Sequence, residues 1–490
     1  MSSTFLGIDV GTSAVKALLI DDDQRVLAQS SQPLQVSRPQ PLRSEQNPSD
    51  WWDAVDAAVR SLRQTAPSDF ATVAALGLSG QMHGAVLLDR DGSVLRPAIL
   101  WNDGRAHAEC DTLQRAIPDL GRIAGVPAMP GFTAPKLLWV ALHEPRTFAR
   151  IYKVLLPKDY VRWRLTGEFV TDCSDAAGTL WLDEAGRVWS EPILQASGLS
   201  SAQMPRVVEG SAQGGTLRAD IAREWGLPST VVVAGGAGDA AAGAIGIGAI
   251  NDGDAFVSLG TSAQYFVSTS TYRPYPEAFI HAFCHALPGR WFQMAAMLNG
   301  ASPLAWIARL LRESDIDAML TRVAASYRGP GDVIFLPYLA GERTPHNDPY
   351  ARGVFFGMNA DASAETLVQA VLDGVALSVA EAQDLLLQAA TRVDRVAAIG
   401  GGSRSRFWMQ ILANALDRPV VLYREGAQGP AFGAARLAQL AVTKRSVEEV
   451  CSVPAVAETI EPEPGLVDAY RAAGQKFRRL YRAVKEEFRS

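Results

Sequence analysis

The sequence predicts an α/β protein with two domains of similar design that flank one cleft. The triplet Gly-Thr-Ser occurs at 11–13 and again at 260–262, and each copy lies between two runs with a β pattern. The two copies stand about half a chain apart. Since a single hydrophobic core stops growing near roughly 250–300 residues, a chain of 490 residues is expected to hold at least two cores.

Composition excludes several classes of partner. With 48% hydrophobic and 20% charged residues, the chain has the balance of a globular protein with sizeable cores. Its formal net charge of −6 comes with no long basic run, so we predict no nucleic-acid partner. The apolar segment 231–250 contains one charge, Asp239, and we predict a strand, a glycine turn and a helix there, with no membrane partner.

The cysteines and the first residues indicate a cytoplasmic location. The cysteines are widely separated along the chain and form no C-x-x-C pair, which is typical of reduced, buried thiols. The N-terminus shows no basic segment followed by an apolar core and enters a β pattern almost at once. The cysteines are Cys110, Cys173, Cys284 and Cys451.

Short β runs open the chain, and the close turns between them favour antiparallel pairing. These runs are 5–10, 15–21 and 25–30. After a loop at 33–48, Asn47 is expected to cap a helix that has Pro48 at its first position. The apolar face of this helix is formed by Trp51, Trp52, Val55, Val59 and Leu62.

The remaining elements alternate between strands and helices. A glycine-bearing turn at 80–84 follows one strand, and a basic amphipathic helix begins at Pro464. We place the domain boundary near 245–253, where Asn-Asp-Gly separates a small-residue helix from the second set of strands. Further strands are expected at 73–79, 85–89, 230–234, 395–399 and 419–423, with helices near 136–143 and 405–416.

The first Gly-Thr-Ser turn belongs to a D-x-G-T-x-x-x-K motif formed by Asp9, Gly11, Thr12 and Lys16. Backbone N–H groups and hydroxyls at such a turn are the donors that a polyphosphate needs. A carboxylate at a neighbouring strand end suits Mg²⁺, which keeps several waters and takes one or two carboxylates. The alternative is an ordinary hairpin with a surface Asp and Lys. Two such turns at one cleft would hold the phosphates of a nucleotide from both sides.

Asp239 follows the glycine turn 235–238 at the junction between a strand and a helix. Its apolar neighbours leave it as the local base, which predicts a general base for a substrate hydroxyl. The alternative is a helix N-cap.

Three glycines at 400–402, again between a strand and a helix, predict the close approach of a flat ligand such as adenosine. The alternative is an ordinary turn between a strand and a helix, which would need only one glycine.

Two short motifs place hydrogen-bonding groups beside apolar bodies, as a polyhydroxylated ligand requires. They are Gln81-Met82-His83 and Trp101-Asn102-Asp103. A structural role for a lone His on a turn is the alternative.

The segment His-Ala-Phe-Cys-His at 281–285 has metal-ligand residue types, but no outlying cluster completes a site, so buried packing in a strand is expected.

Long, specific segments along nearly the whole chain carry a resemblance. They are SGQMHGAVLLD at 79–89, RPAILWNDGRA at 96–106, MPGFTAPKLLWV at 129–140, LLPKDYVRWRLTGEF at 155–169, SDAAGTLWLD at 174–183, LPYLAGERTPHNDP at 336–349 and GGGSRSRFW at 400–408. With these segments the chain resembles the FGGY carbohydrate kinases, within the actin/hexokinase/Hsp70-like ATPase superfamily. The resemblance implies two ribonuclease-H-like domains, at 1–248 and 249–490, on either side of a catalytic cleft.

Roles for individual residues follow from the resemblance, motif by motif. It implies ATP and Mg²⁺ as cofactors, a small-molecule sugar as acceptor, and a homodimer. Asp239 is the implied catalytic base, and Asp9 is the implied Mg²⁺ ligand, through water. The implied sugar contacts are Met82 and His83, with Gln81, Trp101 and Asn102 beside them. The implied ATP contacts are Gly11, Thr12, Ser13, Lys16, Thr261, Gly401, Gly402 and Ser405.

Within the family, the chain is most similar to bacterial kinases of D-xylulose, which implies phosphorylation at the C5 hydroxyl in pentose (xylose) catabolism. Those kinases commonly have Asn after the catalytic Asp, whereas this chain has Ala240, which neither donates nor accepts a side-chain hydrogen bond. D-Ribulose, L-xylulose and D-arabinitol therefore stay open as substrates. An actin- or Hsp70-like ATPase is the remote alternative, and it would have no use for a sugar pocket.

Overall fold

The computed structural model describes residues 3–424 and 429–489. The strands of the first half are β1 (Thr4–Val10), β2 (Ala14–Ile20), β3 (Val26–Pro33), β4 (Glu45–Gln46), β5 (Val73–Gly80), β6 (Val86–Leu88), β7 (Ala98–Ile99), β8 (Lys153–Leu155), β9 (Val170–Asp172), β10 (Leu182–Asp183), β11 (Val188–Trp189), β12 (Arg206–Val208), β13 (Gln213–Thr216), β14 (Val232–Ala234) and β15 (Ala237–Gly238). Its helices are α1 (Pro48–Thr65), α2 (Pro67–Phe70), α3 (His107–Ala116), α4 (Leu120–Ile123), α5 (Thr133–His143), α6 (Pro145–Phe148), α7 (Pro157–Thr166), α8 (Cys173–Ala176), α9 (Glu191–Ala196), α10 (Ala219–Trp225) and α11 (Asp239–Ile247).

The second half repeats the mixture of strands and helices. Its strands are β16 (Ala255–Leu259), β17 (Ala263–Thr269), β18 (His281–Cys284), β19 (Trp291–Met297), β20 (Ile334–Leu336), β21 (Val354–Phe356), β22 (Val396–Ile399), β23 (Val420–Tyr423) and β24 (Val456–Ile460). Its helices are α12 (Ser302–Leu310), α13 (Ile316–Ser326), α14 (Ala364–Gln388), α15 (Arg406–Leu416), α16 (Gly429–Val442), α17 (Val447–Val450) and α18 (Pro464–Val484).

Each half is built around one mixed sheet. In the first sheet the order is β13-β14-β5-β1-β2-β3, with β15 paired to the end of β5. Strands β1, β2 and β3 form an antiparallel meander, and β5 and β14 then add parallel to β1. The antiparallel pairing that the short turns predict is confirmed.

The second sheet has the same plan, in the order β18-β19-β17-β16-β22-β23-β24. Strands β16, β17 and β19 are antiparallel, β22 and β23 add parallel to β16, and β24 closes the far edge antiparallel. Each Gly-Thr-Ser turn therefore lies in the first hairpin of its own sheet. The prediction of two domains of similar design is confirmed.

Helix α1 forms as its sequence predicts. The Asn47 side chain accepts a hydrogen bond from the Ser49 N–H, and Pro48 opens the helix. Because the apolar side chains recur with helical spacing, they lie on one face of the helix, and this face packs against the first sheet. The buried residues of this face include Trp51, Trp52, Val55, Val59 and Leu62.

Helices α11 and α16 cross where the two halves meet. Helix α16 comes late in the chain, yet it packs on β1 and β5 of the first sheet as well as on α11. The crossing is tight: a Cβ added to Gly433 would lie 1.8 Å from the carbonyl oxygen of Ala242. The boundary predicted at 248/249 falls between α11 and β16, and α16 carries the chain back to the first sheet.

The four cysteines are free and buried, as predicted. Two of them, though distant in the sequence, are neighbours in space, because Cys173 and Cys284 belong to one small buried cluster between the halves. The segment 281–285 is a buried strand and its end, and no group of three metal-ligating side chains occurs within residues 3–424 and 429–489. No helix in the described ranges has the length and apolarity to cross a bilayer.

Candidate active site

Asp9 lies near the end of β1, where the backbone enters the first Gly-Thr-Ser turn. Its neighbour in register on β5 is Ser79, whose hydroxyl donates to Asp9 Oδ1 at 2.6 Å. Burial raises the pKa of Asp9, while the Ser79 hydrogen bond and the charge of Lys16 lower it. Asp9 Oδ2 makes no hydrogen bond to any described residue, and it points toward Gly11, 3.8 Å from where a Cβ would stand.

Asp239 is the first residue of α11, directly after the paired dipeptide of β15. The helix N-cap is Gly238 rather than Asp239, so the capping alternative does not describe this carboxylate. Its Oδ1 accepts from the Ala240 N–H at 2.7 Å. Burial and, after it, the nearby charge of Asp9 raise the pKa of Asp239 to about 7. A half-buried carboxylate with this pKa suits general-base chemistry near neutral pH.

A buried ionic cluster supports the turn that carries Asp239. Arg162 donates from both Nη atoms to the carbonyl oxygens of Ala234 and Gly235, each at 2.6 Å. On the other side, the Gly238 N–H donates to Ser174 Oγ at 3.2 Å. The Ser174 N–H in turn donates a hydrogen bond to Asp172 Oδ2.

The centre of this cluster is Lys158, which carries no exposed side-chain surface. Its Nζ lies 2.6 Å from Asp159, 2.8 Å from Asp172 and 3.1 Å from Asp175. Lys158 and Asp159 fall in the segment 155–169 and Asp175 in the segment 174–183, whereas Asp172 lies between the two, and none of them was predicted to have a role. Only the fold brings helices α7 and α8 and the turn at 235–238 together around the ammonium group of Lys158.

Polar side chains fix the first Gly-Thr-Ser turn from the N-terminal half. The Thr12 hydroxyl donates to Gln81 Oε1 at 2.9 Å and accepts from Trp101 Nε1 at 3.0 Å. Gln81 Nε2 donates in turn to Gln46 Oε1 at 2.9 Å. Both polar ends of Gln81 are therefore engaged with the turn, and the polar atom of Trp101 is engaged with Thr12. These contacts fit a role in positioning the phosphate turn better than the direct sugar contact predicted for Gln81.

A cavity of about 500 Å³ opens beside these residues. Its lining comes from both halves of the chain and includes three predicted sugar contacts. Residues of this lining include His83, Trp101, Asn102, His281, Leu298 and Arg343. Gln81 and Met82 are not among the lining residues. Met82 packs against the turn at 235–238, and a Cβ added to Gly238 would lie 2.9 Å from its side chain.

His83 presents a defined hydrogen-bonding edge to the cavity. Its backbone lies at φ 69°, a region that residues other than glycine rarely adopt. Its Nδ1 lies 2.7 Å from the carbonyl oxygen of Gly178. Burial lowers the pKa of His83 well below its usual value, so the ring is neutral and Nδ1 carries the hydrogen. Nε2 is then the ring atom that can accept a hydrogen bond.

The second Gly-Thr-Ser turn is hydrogen-bonded to a segment that reaches the same cavity. Thr261 is exposed, and its carbonyl oxygen accepts from the Gly300 N–H at 3.0 Å. Leu298, which lines the cavity, stands two residues before Gly300. Ser13 and Lys16 of the first turn are likewise exposed. The structure thus leaves the predicted phosphate contacts accessible to a ligand.

The glycines at 400–402 differ in what they do. Gly400 has φ 89°, which the turn after β22 requires. A Cβ on Gly402 would stand 2.9 Å from that of Leu259, so this position serves packing. Gly401 is exposed with open space around it and fits the predicted adenosine contact. Ser405 caps α15 by accepting from the Trp408 N–H at 3.2 Å, a structural role beside the predicted contact with ATP.

No residue of the second half that lines the cavity was predicted as a sugar contact. The ionisable ones among them are His281, Glu342 and Arg343. His281 was expected to serve strand packing, and its Nδ1 is buried without a partner among the described residues. Arg343 belongs to the segment 336–349, so a motif marked it, but no pattern along the chain could place it against Trp101.

Two family models match the chain in succession. The FGGY family of carbohydrate kinases, N-terminal domain, matches residues 4–246, and the C-terminal domain of the same family matches 255–442. This chain belongs to the FGGY carbohydrate kinases. As a member of the family it is a carbohydrate kinase with ATP as the implied phosphoryl donor, and the predicted two-domain fold of the actin/hexokinase-like kind is confirmed.

Relatives within the FGGY family align over almost their full length. The xylulose kinase of Escherichia coli K12 is 47% identical over 98% of this chain and 99% of that protein. The xylulose kinase of Klebsiella pneumoniae is 45% identical, again over 98% and 99%. The crystal structure of a xyloylose kinase from Brucella ovis has a TM-score of 0.96 at 48% identity, covering 99% of both chains.

Proposed function

We propose that this kinase transfers the γ-phosphoryl group of Mg-ATP to the C5 hydroxyl of D-xylulose. The observation that carries the proposal is Asp239, a half-buried carboxylate at the start of α11 whose pKa is raised to about 7. The charge of Asp9 contributes to this pKa, and Met82, which packs against Gly238, directly precedes His83 of the cavity wall. Relatives at 45–47% identity are xylulose kinases, which supports the choice of sugar.

The chemical step is an in-line displacement. The C5 oxygen bonds to the γ-phosphorus as its proton passes to Asp239, and the bond from the γ-phosphorus to the bridging oxygen breaks as ADP leaves. Asp239 Oδ1 is held by the Ala240 N–H, so Oδ2 is the atom available for the proton. The protein does little covalent work, and positioning and charge stabilisation dominate.

The residues around Asp9 fit a magnesium ion at the phosphates. Asp9 offers one carboxylate oxygen that makes no hydrogen bond to a described residue, next to a turn whose Ser13 is exposed. Mg²⁺ typically takes one or two carboxylates, waters and phosphate oxygens, so a larger set of protein ligands is unnecessary. When bound, the ion would neutralise charge on the phosphates, and Asp9 would hold it through water.

The protein's own polar groups orient the two substrates. Thr12 is fixed between Gln81 and Trp101, which holds the first turn ready for phosphate. His83 offers its Nε2 as an acceptor for a sugar hydroxyl at the cavity wall. Thr261 and Gly401 are exposed, and the same proposal assigns Thr261 to the phosphates and Gly401 to the adenosine.

ADP release by the purified kinase tests the proposal. The assay uses Mg-ATP with D-xylulose, L-xylulose, D-ribulose and D-arabinitol, and it compares the wild type with Asp239→Asn. We expect the highest kcat/KM for D-xylulose, and a fall in kcat of roughly 100-fold or more in the variant because the general base is lost. ATP binding should survive in the variant. A clear preference for another sugar would overturn the choice of D-xylulose, and full turnover by Asp239→Asn would remove Asp239 from its role.

A further inference from the structure

The turn at 235–238 depends on neighbouring elements for its position, because its own sequence gives it little stiffness. Three of its four residues are Gly235, Gly236 and Gly238, and Gly236 has φ 77°. Glycine has more backbone freedom than any other residue, so hydrogen bonds to other elements decide where such a turn lies. Asp239 follows the turn directly, and the same bonds therefore determine where its carboxylate lies.

Two side chains hold the two ends of this turn. Arg162 donates to the carbonyl oxygens of Ala234 and Gly235, each at 2.6 Å, where β14 ends. At the end that leads into α11, the Gly238 N–H donates to Ser174 Oγ at 3.2 Å. Gly238 is the N-cap of α11, so the Ser174 bond acts one residue before the helix begins.

The direction of the Ser174 hydroxyl is fixed by its other partner. Ser174 Oγ donates its hydrogen to Asp172 Oδ2, which also accepts from the Ser174 N–H at 2.8 Å. Asp172 Oδ1 lies 2.8 Å from Lys158 Nζ, and all three side chains are fully buried. A hydroxyl has one hydrogen and two lone pairs, so an Oγ that donates to a carboxylate keeps its lone pairs for other donors. Ser174 is therefore the acceptor for the Gly238 N–H.

The position of Asp239 matters because a second carboxylate belongs to the same part of the sheet. Asp9 on β1 is in register with Ser79 on β5, and Ser79 is in register with Ala237 on β15. Asp239 stands two residues beyond that row. The turn thus sets where Asp239 lies relative to Asp9, and a misplacement of about 1 Å can cost roughly 100-fold in rate.

We propose that Ser174 is a positioning residue for Asp239, since it holds the Gly238 N–H and so fixes the carboxylate for the phosphoryl-transfer step. The inference rests on the proposed function, in which Asp239 is the general base. Without the Ser174 hydroxyl, the Gly238 N–H would lose its buried acceptor, whereas Asp172 would keep the N–H groups of Ser174 and Asp175. The change would therefore release the turn and leave the charges of the ionic cluster in place.

A double-mutant cycle of Ser174→Ala and Asp239→Asn tests this role. We would measure kcat and KM with Mg-ATP and D-xylulose, or with the sugar that the substrate assay favours. Ser174→Ala alone should lower kcat by roughly 10- to 100-fold and change the KM of ATP by less than about 3-fold, because the phosphate turns keep their own contacts. In the Asp239→Asn background it should lower the residual kcat by less than about 3-fold, since the base that it positions is already gone.

Ser197→Ala is the matched control for the loss of a buried hydroxyl. Ser197 is also fully buried, and its Oγ donates to the Ile193 carbonyl oxygen at 3.0 Å and accepts from Trp181 Nε1 at 2.9 Å. Its removal should lower the melting temperature about as much as Ser174→Ala does and leave kcat unchanged. Ser174→Cys, assayed under reducing conditions, keeps a weak donor and a weak acceptor and should lose less kcat than Ser174→Ala.

The cycle separates positioning from a general loss of intact enzyme. An equal fall in kcat with and without the Asp239 carboxylate would overturn the inference, because it would indicate a smaller active fraction. A kcat of Ser174→Ala no lower than that of Ser197→Ala would overturn it as well. Full turnover by Asp239→Asn would instead refute the proposed role of Asp239, before any Ser174 variant is compared, and this inference with it.

Discussion

At the scale of single residues, the raised pKa of Asp239 determines how activity varies with pH. The carboxylate must be ionised to accept a proton, and burial together with Asp9 raises its pKa to about 7. We therefore expect kcat/KM for the sugar to fall about tenfold per pH unit below 7 and to level off above it. Steady-state rates from pH 5 to 9 at saturating Mg-ATP would check this. A flat profile down to pH 5 would contradict it.

The same residue also predicts an effect on stability. The folded pKa of Asp239 lies above its unfolded value, so the ionised form is disfavoured by folding. This loss of stability develops as the pH rises through the window from about 4 to 7 and is complete above it. Asp239→Asn should thus stabilise the fold by on the order of 2 kcal/mol at pH 8, and by less at pH 5. Thermal melting at both pH values measures the difference, and an equal shift at the two would refute it.

At the scale of elements, the catalytic turn depends on helices α7 and α8. Lys158 on α7 is fully buried among Asp159, Asp172 and Asp175. Lys158→Met would leave three buried carboxylates with only Arg162 as a nearby cation, and we expect it to destabilise the protein by about 3–5 kcal/mol. Urea unfolding provides the measurement. Lys485→Met, which removes only an exposed pair with Glu486, should cost less than about 1 kcal/mol. Equal midpoints for both variants would contradict the structural role of the cluster.

At the scale of the whole molecule, the crossing of α11 and α16 joins the two halves. A methyl group at Gly433 would overlap the carbonyl oxygen of Ala242, so Gly433→Ala must push the helices apart. We expect this variant to lose about 2 kcal/mol or more of stability. Gly243→Ala on the facing helix has open space and should gain about 0.5–1 kcal/mol from helix propensity. Chemical denaturation of both variants decides, and a stable Gly433→Ala protein would show that the crossing tolerates separation.

The sequence by itself determined the features whose causes are local. The β runs, the Asn47 cap, the twin Gly-Thr-Ser turns and the place of Asp239 at a strand–helix junction depend on neighbouring residues, so pattern and turn chemistry predict them. The resemblance to FGGY kinases added the fold and the reaction, and the comparisons bear both out.

Only the tertiary structure decided which distant side chains meet. Gln81 and Trp101 contact Thr12 across about 70 and 90 residues of chain, and Arg343 faces Trp101 from the other half. The adjacency of Cys173 and Cys284 is a further case. These contacts depend on strand order and on how the two sheets are joined through α11 and α16. Residue pattern along the chain carries information about which face of an element is buried, but not about which element will cover that face.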